Sequence, residues 1–168
     1  MTRVSLPSVT YRLGEAAVAA SSAVLIVALA IVPFLTPAWI GFEQGRANAT
    51  AWTGLAEPDL RAVTNAIVTD LVLGPPNFDV TFAGEPVLSE TERSHMRDVR
   101  DVFGGFALTV VLALGVLAVA FVVARRGNGR WDTAMAWRAT RRGARSLAVA
   151  VVAVGVVAAV AFDAAFEV

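Results

Sequence analysis

The chain contains no cysteine and no lysine, and it has one histidine and one tyrosine. Without cysteine there is no disulfide, no thiolate nucleophile and no thiolate metal site. With one imidazole there is no paired-histidine zinc motif. All 14 basic residues are arginine. Beside so much Ala, Val and Gly, this points to the base composition of the source genome rather than to a chemical requirement. Charge is also missing over long stretches, although acids and arginines balance at a formal net charge of zero.

Three runs carry no charge at all: Ala16 to Phe42, Phe103 to Ala124 and Ser146 to Phe162. At about 1.5 Å of rise per residue, about 20 apolar residues cross a bilayer core. The first two runs are long enough, and the third reaches that length with its flanks. A soluble helical bundle would need polar stripes on these helices, and none is visible. The first run is long for a signal-peptide core and no small-x-small cleavage site follows it, so it reads as a retained anchor. The fold class is an all-α integral membrane protein. Three transmembrane helices occupy residues 16–40, 103–124 and 146–163, with a small α+β subdomain between the first and second.

The charges are sorted along the chain. Residues 43–102 hold ten acids and five arginines, while residues 125–145 hold seven arginines and one acid. The positive-inside rule places the 125–145 loop in the cytoplasm, together with the tail 1–15. The loop 41–102 and the end 164–168 are then extracytoplasmic, in a multi-pass protein of the cell membrane. Trp39 suits the outer aromatic belt and Tyr11 the inner one.

The outer loop has structure of its own. Glu57 to Gly74 reads as a helix, with Pro58 in its first turn and Leu60, Val63, Ile67 and Leu71 at helical spacing. Gly74-Pro75-Pro76 stops it. "NFDVTF" alternates as a strand, with Phe78, Val80 and Phe82 on one side, and "AGEP" turns it. Ser89 followed by Glu92 is a capping-box signature. The helix it opens has no breaker before Gly104 and is expected to run into the second span. In the basic loop, arginines interleave with Trp131 and Trp137. Anchoring at anionic headgroups, through an interfacial helix, accounts for this better than nucleic-acid binding. In the third span, Gly155 and Ala159 form a small-xxx-small face suited to helix–helix association.

The one histidine, His95, lies on the helix opened by Ser89, with Glu92 and Asp98 each within one turn. Neighbouring carboxylates favour an imidazolium and orient the ring, which suits a general base. The same arrangement suits a solvated, charge-paired juxtamembrane turn, and the residues alone leave both readings open. A metal site is disfavoured, because the His and its two carboxylates share one helix. No nucleophile elbow and no phosphate-binding glycine loop is present.

"EPVLSETERSHMRDVRDVF", following "FDVTF" and preceding a span, resembles the integral membrane family that includes the bacterial lipoprotein intramolecular transacylase. The matching pattern is Glu92, His95, Met96, Asp98 and Val99. The order of elements agrees too: span, outer subdomain, histidine helix, span, basic loop, span. The resemblance implies acyl transfer from the glyceryl group of a lipoprotein's N-terminal cysteine to that cysteine's α-amine, without a cofactor. It implies His95 as base, Glu92 or Asp98 orienting the ring, and Arg93 or Arg97 at a headgroup or oxyanion. Membrane lipids and lipoproteins are the implied partners. The family pattern continues into an aromatic, histidine-containing segment and a fourth span. With Val168 as the last residue, the resemblance implies an incomplete form. The alternative is a non-enzymatic membrane scaffold or partner-binding subunit.

Overall fold

A computed structural model describes residues 6–126 and 131–166. The elements in chain order are α1 (Leu6–Ile31), a 3-10 turn (Val32–Leu35), α2 (Pro37–Arg46), α3 (Ala49–Thr53), α4 (Glu57–Val72), strands β1 (Thr81–Phe82) and β2 (Glu85–Pro86), α5 (Glu90–Arg126) and α6 (Thr133–Phe166). Helices α1, α5 and α6 are each long and apolar enough to cross a membrane.

These helices cut across the charge-free runs in two places. Helix α1 ends at Ile31, ahead of Pro33, and the chain tightens into the 3-10 turn. Proline removes a backbone donor and restricts the residue before it, so the helix stops there. Thr36 then opens α2: its hydroxyl accepts the Trp39 amide at 3.3 Å, and Pro37 occupies the first turn. At the other end of the chain, α6 begins inside the basic segment. Asp132 is its cap, with Oδ1 accepting the Met135 amide at 2.6 Å. The arginine-rich stretch is therefore helical and continuous with the third apolar run.

The chain divides into two compact units. The first holds α1 up to Ala28, α5 from Val110 onward, and α6. Its packing relies on small residues. Ala113, Ala124, Ala136 and Ala139 are buried, with Val18, Ser21 and Ser22 from α1. A side chain at Gly143 would collide with the backbone of Ala19, so glycine there lets α6 and α1 touch main chain to main chain. Ser22 donates to the Val18 carbonyl at 2.8 Å, which satisfies a buried hydroxyl. Trp131 donates from its indole to the Ala120 carbonyl at 3.0 Å, and its ring lies against Gly14. By contrast, Gly155 meets nothing, and residues 148–161 are exposed throughout. The close contact within the unit uses Gly143 rather than Gly155 and Ala159.

The second unit runs from Leu29 to Thr109. Helix α4 turns Leu60 and Val63 inward as its spacing requires. Gln44 on α2 donates to Thr64 on α4 at 2.7 Å. Phe34, Trp39 and Phe42 form an aromatic row, with ring centroids 4.9 and 5.8 Å apart. The expected strand with Phe78, Val80 and Phe82 on one side does not form. Pairing is confined to Thr81 with Pro86 and Phe82 with Glu85. Ala83 and Gly84 join them, both at positive φ, as a two-residue hairpin of this hand requires. Phe78 itself sits in the left-handed region at φ 51°, so the chain reverses there instead of extending, and its ring is fully buried.

Candidate functional site

The charged turns at the start of α5 form the candidate site. Ser89 and Glu92 make the full capping box. The Glu92 carboxylate accepts from the Ser89 amide at 2.8 Å and from its hydroxyl at 2.7 Å, while the Glu92 amide donates back to Ser89 Oγ at 3.3 Å. These bonds, the hydroxyl first and then the amide, hold the Glu92 carboxyl below its usual value. Glu92 lies in the charged turns ahead of the apolar run, exposed to solvent. A depressed carboxyl contributes stability above its ordinary pKa, and that contribution is lost as pH falls through the lowered value. In a carboxyl-carbon NMR titration, Glu92 is expected to titrate below 4.5, its ordinary value. Ser89→Ala removes the hydroxyl but keeps the amide, so it is expected to raise the Glu92 titration part of the way back; an unchanged titration would show that the hydroxyl is not the main cause.

Arg93, Arg97 and Arg100 follow at spacings of four and three residues, which places them on one face of the helix. Arg93 reaches Asp79, ahead of the hairpin, at 3.1 Å and Glu90 at 2.9 Å. Arg97 also takes Glu90, at 2.9 Å. Glu90 is thereby shared, and its carboxyl is lowered, chiefly by the hydrogen bond from Arg97 and then by the charge of Arg93. Arg100 donates to the Asp70 carbonyl near the end of α4. Arg93 and Arg100 thus fasten the first turns of α5 to the subdomain, while Arg97 pairs within the helix.

His95 is on the other side. At about 100° per residue it points roughly opposite Arg93 and Arg97, and it shares its face with Thr91, Asp98 and Val102. All four are exposed. The structure therefore brings His95 and Asp98 to one open face and separates both from Arg93 and Arg97. Glu92 borders that face, but its carboxylate turns back to Ser89. Among the described residues, no hydrogen bond or ion pair joins Glu92 or Asp98 to the imidazole. A role for Arg93 or Arg97 at an oxyanion would require leaving the ion pairs just described. Among the described residues, no three of His, Asp and Glu gather as a metal-binding group.

Sequence reasoning missed Arg100, Asp70 and Asp79. The spacing of the arginines was visible, but a backbone carbonyl as partner and an acid 14 residues away leave no local mark.

This geometry is an exposed imidazole on a braced helix that leads into an apolar run, in a multi-pass membrane protein. Searches of curated proteins and of solved structures return no match. A family model does match: that of the lipoprotein intramolecular transacylase Lit, over residues 16–168. The match takes in the capping box, His95, the hairpin and all three apolar helices, and the chain belongs to the lipoprotein intramolecular transacylase family.

Proposed function

We propose that the protein moves an acyl chain from the glyceryl group of a bacterial lipoprotein's N-terminal cysteine to that cysteine's α-amine, with His95 as the proton-transfer group. The amine nitrogen attacks the ester carbonyl and a C–N bond forms. His95 takes the proton that the nitrogen loses. The tetrahedral intermediate then expels the glyceryl oxygen, the C–O bond breaks, and His95 returns the proton to that oxygen. Atoms and charge balance without a cofactor. The observation that carries this reading is the segregation of the helix faces. The arginines are spent on holding α5, whereas His95 and Asp98 share a face that a substrate can reach. Asp98, one turn on, is the group suited to orient the ring. Glu92, Arg93 and Arg97 act as positioning residues, because their bonds fix the turn that carries His95.

The test is mass spectrometry of the N-terminal peptide of a model lipoprotein, coexpressed with the chain in a host lacking such an enzyme. An acyl chain found on the amine, with one lost from the glycerol, supports the reading. An unchanged lipopeptide rejects it.

The orientation that this chemistry needs puts His95 outside. Eight residues of helix, about 12 Å, separate His95 from Phe103, which carries His95 past the roughly 5–8 Å of a headgroup layer to its outer edge. The bias of seven arginines against one acid in residues 125–145 supports the cytoplasmic assignment of the opposite end. Since the chain has no cysteine of its own, single reporters are clean. Ala51→Cys is expected to react with an impermeant maleimide on intact cells and Thr133→Cys only after lysis. The reverse pattern would invert the topology and remove His95 from an outer-leaflet reaction.

A further inference from the structure

A trench of about 790 Å³ runs between α1 and α6 within the first unit, well away in sequence from His95. Its floor on α1 is built from Ala16, Ala20 and Ala23, which fall on one helix face. Side chains this small leave a channel instead of a ridge. Gly143 draws α6 in against Ala19 and so sets the channel's wall. At one end stand Arg12 and Arg142, with Glu15 between them. Glu15 Oε2 lies 3.4 Å from Arg142 Nη1, a long pair that leaves the Arg142 side chain 71% exposed. Among the described residues, Arg12 has no ion-pair partner.

Two guanidinium groups against one carboxylate leave a single positive charge at the mouth of an apolar channel. From Arg12 to Ala23 the helix rises about 16 Å, close to the hydrocarbon depth of one leaflet, half of about 30 Å. The ligand that matches has a single negative charge at one end and an apolar tail of leaflet length at the other. Arginine pairs a phosphodiester through parallel N–H donors, and basic pockets between membrane helices suit anionic headgroups. We propose that this trench binds one anionic phospholipid, with its phosphodiester on Arg12 and Arg142 and an acyl chain along the alanine floor. The site lies at the arginine-rich end of the membrane helices and is distinct from the face that carries His95, so it stands or falls independently of the acyl-transfer reading.

Native mass spectrometry of the full chain in detergent, offered phosphatidylglycerol and phosphatidylcholine at equal concentration, tests this. The wild type is expected to retain phosphatidylglycerol about tenfold over phosphatidylcholine, on the scale of two arginines facing one anionic headgroup. The double variant Arg12→Gln/Arg142→Gln is expected to lose that preference. Ala20→Phe, which fills the floor and keeps both arginines, is expected to lower retention of both lipids. The control Arg138→Gln/Arg141→Gln removes the same charge from residues of α6 that do not line the trench and is expected to leave retention within about twofold. Soluble glycerol 3-phosphate is expected not to compete at millimolar concentration. Equal retention of the two lipids by the wild type overturns the proposal. So does undiminished phosphatidylglycerol retention in both trench variants, or effective competition by glycerol 3-phosphate, which would indicate an anion site without a tail. If the arginine double variant is not monodisperse, the Ala20→Phe result decides.

Discussion

His95→Ala is expected to lower acyl transfer by about 10²-fold or more, the usual loss when a positioned acid–base group is removed. A primary amine attacks an ester productively only if the nitrogen can shed a proton as the C–N bond forms, and the glyceryl oxygen leaves only if it regains one. Water at a membrane surface supplies neither at a fixed distance. His95 is the sole imidazole in the chain, it is exposed, and its helix is braced from the opposite side by Arg93 and Arg100. The lipopeptide assay in coexpressing cells measures the effect. Asp98→Asn is expected to give a smaller loss, because it removes a group that orients the ring rather than the proton carrier. Expression and melting temperature in detergent should be unaffected by either change, since both side chains are exposed. Wild-type transfer by His95→Ala would leave the turn as a structural element only.

Phe78→Ala is expected to destabilise the Leu29–Thr109 unit by about 3–5 kcal/mol, the range for deleting a fully buried aromatic ring. Phe78 is completely buried, although it sits in a loop between Pro76 and the hairpin. Its backbone occupies the left-handed region, which costs a non-glycine residue of order 1–3 kcal/mol, so the burial must outweigh that strain. Loss of the ring removes the compensation but not the strain. Asp79, the next residue, pairs with Arg93, so the damage reaches the start of α5. Limited proteolysis of the detergent-solubilised chain is the measurement: cleavage between residues 72 and 90 should accelerate strongly in Phe78→Ala and only modestly in Phe78→Leu. A protection pattern equal to that of the wild type would mean that the subdomain core lies elsewhere. Acyl transfer should fall along with it, because the same bonds that hold the hairpin hold the helix under His95.

Much of this protein can be read directly from its residues. Runs without charge of about 20 residues admit one low-energy outcome in lipid, a helix that satisfies its own backbone, so the three membrane helices follow from the sequence. The capping box is equally legible, because Ser89 and Glu92 act over three residues and need no distant partner. The apolar spacing of Leu60 and Val63 foretells which face of α4 is buried, and the local pattern around His95 is enough to suggest the family. Tertiary structure decided the rest. Alternation alone marked Phe78 as a strand residue, but a ring buried at a left-handed backbone position is a property of the space around it and has no period. The charged residues near His95 look like one cluster in sequence. On the folded helix they divide, since 100° per residue sends Arg93 and Arg97 to Glu90 and Asp79 and leaves His95 with Asp98 on the open side. Likewise α6 carries two glycines, yet only Gly143 meets a neighbour, because close approach depends on what another helix presents at that level. Local rules act within a turn or two of chain, whereas facing, pairing and contact are set by residues that sequence distance keeps apart.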